Sequence, residues 1–320
     1  MKFRYIWLLA GCLLLLSGCR SARLQADITE PVPSMEATTQ EATETETTQE
    51  TTQTTEPLTG WVTENAQTCF LYEDGTKHTG WLELDGKRYY LDESGALQTG
   101  WLEWEDGLYY LQEDGSAAKG KADIDGQTHF FTSTGAEIMV ANPWNVIPES
   151  YSANLVDAEN GYKVDAACRD SLLAMLQDCR KDGYNAQITS AYREHELQIY
   201  LYDRKVNYFL DLGYSEADAK AEAATIVAVP GTSEHELGLA VDLVDNSYWL
   251  LDEAQENTPA QKWLMEHCWE YGFVLRYPND KSHVTGIIYE PWHYRYVGQA
   301  VAQELYESGM CLEEYLDSLY

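Results

Sequence analysis

The sequence predicts a C-terminal α+β domain with helices around a central antiparallel sheet, preceded by an all-β solenoid of stacked hairpin repeats. Two observations predict this. Gly-Trp recurs at Gly60-Trp61, Gly80-Trp81 and Gly100-Trp101, a period of twenty, with Gly120-Lys121 as a decayed fourth start. From residue 143 onward, segments of helical period interleave with short apolar strands, without the regular alternation of a parallel βαβ sheet.

Taken in order, the chain starts with Lys2 and Arg4 before an apolar run over residues 6–16. That run is too short to span a bilayer and reads as the core of a signal peptide, residues 1–18. It ends in Leu16, Ser17, Gly18 and Cys19, which resembles the lipobox of bacterial lipoproteins. The resemblance implies cleavage before Cys19 and a lipid on that residue. An ordinary secretory signal with an incidental cysteine is the alternative. Residues 19–59 are almost purely Thr, Glu, Gln, Ala and Pro. Such a segment has too little apolar surface to fold, and its carboxylates repel one another, so it is expected to be a disordered tether spanning roughly 35 Å or more. The expected location is the outer face of the cell membrane, held there by lipid.

Residues 60–142 hold the repeats. Each unit has a turn glycine (Gly86, Gly107, Gly126), then an aromatic pair (Tyr89-Tyr90, Tyr109-Tyr110, Phe130-Phe131), then a second turn such as Asp92 to Gly95. Short aromatic strands between Asp/Gly turns read as hairpins, and one hairpin cannot bury its aromatics alone, so the units are expected to stack. The pattern is similar to the choline-binding and glucan-binding wall repeats of Gram-positive surface proteins. In choline-binding versions, aromatic side chains cage a quaternary ammonium by cation–π attraction. This chain departs from them before the aromatic pair, where Arg88, Leu108 and Thr128-His129 stand. Choline recognition, binding of another wall glycan, and a plain spacer therefore all stay open.

Residues 143–320 form the α+β domain. Helices are expected over 165–181, 194–210, 215–228 (capped by Ser215), 259–271 and 295–308, with strands near 186–190, 239–244, 273–277 and 285–289. On the first helix Cys168, Leu172, Met175, Leu176 and Cys179 share one apolar face. The two cysteines would lie about 16 Å apart along it, too far to bridge. Besides Cys12 and Cys19 five cysteines remain, an odd number without a C-x-x-C pair, so they read as buried thiols. The net charge of −32 excludes a nucleic-acid partner, because no basic stripe exists to meet phosphates.

Two segments carry chemistry: Ser233 to Asp242, SEHELGLAVD, and Glu290 to His293, EPWH. Asp242 interrupts an apolar strand, and a buried carboxylate needs a cation, either a metal or an arginine. His235, Asp242 and His293 make an N/O set suited to Zn²⁺ with a fourth position open, and Glu290 is placed to move a proton beside it. Gly238 and Pro291 break strand parity, so the four side chains are free to converge. Of the other histidines only His283 remains a competing ligand candidate.

The pattern S-x-H-x-x-G-x-A-x-D on Ser233, His235, Gly238, Ala240 and Asp242, followed by E-x-x-H, resembles the VanY-type D-alanyl-D-alanine carboxypeptidases of the LAS zinc peptidases. The likeness extends through Ser190-Ala191-Tyr192-Arg193, Gln198, Gly272 to Pro278, and Thr285-Gly286. It implies a LAS/hedgehog-like fold, a Zn²⁺ cofactor on His235, Asp242 and His293, and Glu290 as general base and later acid. Arg193 would bind the substrate's terminal carboxylate, with hydrogen bonds from Gln198 and Ser233. A guanidinium fork suits that carboxylate. The implied reaction removes the terminal D-alanine of peptidoglycan stem peptides. An L,D-carboxypeptidase acting on tetrapeptides and a catalytically silent wall-binding protein are the alternatives. The H-E-x-x-H motif of general metalloproteases is absent.

Overall fold

The computed structural model describes residues 58–319 apart from 65, 105 and 106. The expected signal peptide, lipidated Cys19 and most of the tether lie outside these residues. Four antiparallel hairpins come first: β1 (Leu58–Glu64) with β2 (Gln67–Tyr72), β3 (Gly80–Leu84) with β4 (Lys87–Leu91), β5 (Gly100–Trp104) with β6 (Gly107–Leu111), and β7 (Gly120–Ile124) with β8 (Gln127–Phe131). The β3–β4 turn has Asp85 and Gly86 at φ 50° and 75°, the positive pair that a two-residue hairpin turn requires. Each second turn reaches back to an earlier hairpin: Leu97 N–H donates to Thr68 O, Ala117 N–H to Arg88 O, and Glu137 N–H to Leu108 O, at 2.7–2.8 Å. Rings join successive hairpins in the same rhythm, Trp61 to Tyr89, Trp81 to Tyr109 and Trp101 to His129, with centroids 4.7–5.0 Å apart. The period of twenty is thus the spacing at which each unit covers the apolar face of another.

A small hairpin, β9 (Leu155–Asp157) with β10 (Lys163–Asp165), leads into α1 (Ala166–Lys181). Asp165 caps that helix by accepting from Ala167 N–H, and α1 buries the predicted stripe from Cys168 to Cys179. β11 (Ala186–Ser190), α2 (His195–Asp211), α3 (Glu216–Ala224), β12 (Ala240–Asp245), α4 (Pro259–His267), β13 (Phe273–Leu275), α5 (Ser282–Thr285), β14 (His293–Tyr296), α6 (Gln299–Ser308) and α7 (Leu312–Ser318) follow. The sheet is antiparallel in the order β11-β12-β14-β13. Its core packs Leu172, Met175 and Leu176 of α1 and Leu264 of α4 with Ile188, Val241, Leu243 and Tyr294 of the sheet.

Four expectations change. Residues 285–289 form no strand; the remaining sheet strand is β14, so Arg295 stands on a strand and the helix begins only at Gln299. Apolar composition alone could not choose between the two segments, whereas pairing with both β12 and β13 does. The helix expected over 259–271 tightens to a 3₁₀ turn at Cys268–Tyr271 before Gly272, and the one opened by Ser215 stops at Ala224. The hairpin β9–β10 and helix α7 had no sequence expectation.

The chain leaving the last hairpin seats against the C-terminal helices. Ile138 and Val140 pack with Val301, Leu305, Leu312 and Leu316. Asn142 Nδ2 donates to Glu313 Oε1 at 3.0 Å, and Arg295 Nη2 donates to Met139 O. Among the described residues no helix is long and apolar enough to cross a membrane, and the five cysteines are buried free thiols.

Candidate active site

Register builds the centre. Asp242 of β12 lies directly opposite His293 of β14, and residues opposed on neighbouring strands point to the same face. His235 arrives from a 3₁₀ turn, Glu234–Leu237, ended by Gly238 at φ 74°. That position needs glycine twice over, since a Cβ there would also lie 3.0 Å from Asp165 N. The turn swings His235 toward Asp242, with Nε2 at 3.3 Å from Oδ2. One ligand atom from each of His235, Asp242 and His293 lies within 4.8 Å of the others, and all three residues are buried.

These residues fit a divalent cation. Asp242 Oδ1 is buried without a hydrogen bond, although His293 Nδ1 lies 3.2 Å away outside hydrogen-bonding alignment. An orphaned carboxylate oxygen is costly and calls for a positive partner. His235 Nδ1 faces Ala191 O at 2.8 Å, which leaves Nε2 free to ligate, as metal-binding imidazoles require.

Behind the trio lies a network that the sequence did not single out. Glu234 is fully buried; Arg276 Nε donates to it at 2.7 Å and Arg295 Nη1 at 2.9 Å, while His293 Nε2 lies 3.4 Å from Oε2. Arg276 reaches on to Glu313 of α7 at 2.8 Å. The only local signal was an acid beside a candidate ligand histidine, which is common on surfaces. Its partners come from β14 and the loop after β13, too distant in sequence to be paired by inspection.

The charges explain the protonation pattern. Burial alone would raise the Asp242 carboxyl, but the two imidazoles hold it well below the usual range. Glu234 is likewise held low against its burial by Arg276 and Arg295. Burial lowers His235. Burial opposes the charge on His293 too, yet the Asp242 and Glu234 carboxylates push it up to about 9. Glu290 is pushed up to about 8, chiefly by burial. A bound cation would replace the proton on His293 and draw down the Glu290 carboxyl.

The centre forms the floor of a cleft of about 540 Å³ that also exposes Arg193, Ser233 and Glu290. Glu290 Oε2 lies 3.6 Å from His293 Nδ1. Arg193 follows β11 and is tied to the metal trio through its backbone N–H, which donates to His235 O at 3.0 Å. Its Nη2 donates to Ser190 Oγ at 3.0 Å and its Nη1 to Gln198 Oε1 at 2.8 Å. Gln198 is fully buried and its amide N–H donates to Ala228 O at 2.6 Å, so it braces Arg193. Ser233 lines the cleft, whereas His283 on α5 is not part of the trio.

Residues 161–299 match the VanY family model, described as D-alanyl-D-alanine carboxypeptidase. The solved structure of VanYB in complex with D-alanine-D-alanine is 41% identical, with 57% of this chain and 98% of that chain covered at a TM-score of 0.53. The chain belongs to the VanY family. A vancomycin-resistance D,D-pentapeptidase VanY mutant in complex with Zn(II) is 42% identical over 56% of this chain and 97% of its own, at a TM-score of 0.51. The D-alanyl-D-alanine carboxypeptidase of Enterococcus faecalis is 42% identical over 57% of this chain, which spans 66% of that relative's length. Outside the VanY region, residues 58–100 match the choline-binding repeat.

Proposed function

We propose that this protein is a zinc-dependent D-alanyl-D-alanine carboxypeptidase that trims peptidoglycan stem peptides at the cell surface. One observation carries the reading: Arg193, braced by Gln198 and Ser190, opens into the same cleft as the His235–Asp242–His293 trio and Glu290. A peptidase that reads a free carboxyl end needs a fixed cation beside its hydrolytic centre. Bound at the trio, Zn²⁺ supplies a Lewis acid and lowers the pKa of a coordinated water toward about 7.

The side chains divide the remaining work. Arg193 binds the terminal carboxylate, and Ser233 adds a hydrogen bond at the cleft wall. Glu290 accepts the attacking water's proton and returns it to the departing D-alanine amine. Burial raises the proton affinity of Glu290 and a cation at the trio would lower it again, and these opposed effects suit the carboxyl both to accept a proton and to return it. Residues 143–320 are the catalytic domain and residues 60–142 a wall-binding or spacer module. Residues 1–18 direct export, and a lipid on Cys19 with the 19–59 tether holds the enzyme at the membrane's outer face.

Zinc-loaded protein incubated with pentapeptide and tetrapeptide stems, with products weighed by mass spectrometry, tests the reaction. D-Alanine is expected from the pentapeptide. Release from the tetrapeptide alone would overturn the D,D assignment in favour of L,D cleavage, and release from neither would leave a wall-binding protein. Glu290→Ala is expected to keep zinc and lose several orders of magnitude in kcat; near-full activity would remove Glu290 from its role.

A further inference from the structure

Helix α2 carries a stripe of side chains into the cleft: Leu201, Arg204, Lys205 and Tyr208 line it together with Arg193 and Glu290. The two cations stand out in so acidic a chain, which has 53 Asp and Glu against 21 Lys and Arg. Surface cations here readily find carboxylates, as in Lys87–Asp114, Lys220–Glu216 and Lys281–Glu314, each at 2.6–2.8 Å. Arg204 and Lys205 meet none among the described residues. Their close contacts are the rings of their own helix, Tyr200 at 5.9 Å and Tyr208 at 5.6 Å. An anionic substrate approaching a chain of net charge −32 is repelled overall, and charges beyond about 8 Å are screened at physiological salt. The cations inside the cleft therefore set the potential that the substrate meets there.

Spacing says which part of a peptide they meet. Arg204 lies about 14 Å along α2 from His195, the helix start beside Arg193, at about 1.5 Å per residue. An extended peptide covers that distance in about four residues at about 3.4 Å each. We propose that Arg204 and Lys205 form an upstream subsite for a second carboxylate, carried about three to four residues before the terminal one. The favoured substrate is then a doubly anionic peptide, clamped by Arg193 at its end and by α2 along its length. Tyr208, 56% exposed, offers an apolar face beside the cations. The direction of the bound peptide rests on the carboxypeptidase reading.

Two peptides ending in D-Ala-D-Ala and differing only in an upstream carboxylate or carboxamide test this. Their kcat/KM ratio is measured with zinc-loaded protein and with the Arg204→Ala/Lys205→Ala variant, whose fold is checked by circular dichroism. Binding of both peptides to zinc-loaded Glu290→Ala, with and without the α2 substitutions, is followed by calorimetry. The carboxylate peptide is expected to be favoured about tenfold, the scale of one partly exposed charge-assisted contact, through KM and less so at high salt. The α2 substitutions should bring both ratios near one. No preference in the unmodified chain, or a ratio unchanged by the substitutions, overturns the subsite. If neither peptide is cleaved, the carboxypeptidase reading fails and the calorimetric ratio alone decides the subsite.

Discussion

Glu234 shows how a residue that touches no substrate can govern the centre. Its carboxylate lies behind His293 and is held by Arg276 and Arg295, so it fixes the imidazole that would ligate the metal. Partners of this kind typically contribute 10–100-fold in metal affinity. Glu234→Gln is expected to weaken zinc binding by about that factor in chelator competition; unchanged affinity would reduce Glu234 to a purely structural ion pair. A loss of stability of about 3–5 kcal/mol should accompany it, because two buried guanidinium groups lose their shared anion. The same residues set a pH dependence in zinc-free protein. Glu290 and His293 have folded pKa values raised to about 8 and about 9, above ordinary values of 4.5 and 6.5. Each thus contributes stability that is complete below its ordinary pKa and lost as pH rises through the folded one. Asp242, Glu234 and the buried His235 imidazole are depressed and act in the opposite sense, losing their contribution as pH falls below their ordinary values. Thermal stability without zinc should therefore peak between about pH 5 and 6 and fall toward pH 9, with zinc restoring most of the loss at pH 8. A flat profile from pH 5 to 9 would contradict these assignments.

At the scale of elements, the hairpins carry an internal answer to the question of what their aromatics hold. The Arg88 guanidinium sits 4.2 Å over the Trp81 ring and 5.6 Å from that of Tyr109, and Nη1 donates to Thr134 O at 2.8 Å. A cation from the chain itself fills the aromatic gap between the second and third hairpins. The unmodified repeats should consequently bind choline weakly at that gap, while Arg88→Ala should vacate a face for a quaternary ammonium. Retention on immobilised choline measures the gain, and a variant no better retained than the parent would mean that the gap collapses instead. The sheet teaches a related lesson. Strand β12 was legible because LAVDLV is apolar around one acid, but β14, with the sequence HYRY, gave no comparable signal. Its strand character comes from its two neighbours, and its pairing is what brings His293 opposite Asp242.

Across the whole molecule, α6 and α7 join the repeats to the catalytic sheet. Leu316 is 3% exposed within the cluster that includes Ile138 and Val140, and Glu313 links Asn142 to the Arg276 network behind the centre. Leu316→Ala is expected to cost about 2–4 kcal/mol and to open the 131–142 segment to proteolysis, measured by calorimetry and limited digestion; an unchanged melting temperature would show that the helices only abut the repeats. Sequence alone determined the twenty-residue period, the stripe of α1 and the candidate ligands His235, Asp242 and His293 with Glu290 and Arg193, because each depends on local spacing or on a compact motif. Tertiary structure decided the rest: the β12–β14 register, the Glu234–Arg276–Arg295 support, the bracing role of Gln198 and the cation seated among the repeat aromatics. Those contacts join segments far apart in the chain, and a buried charge declares its partner only when folding has removed the water that would otherwise solvate it.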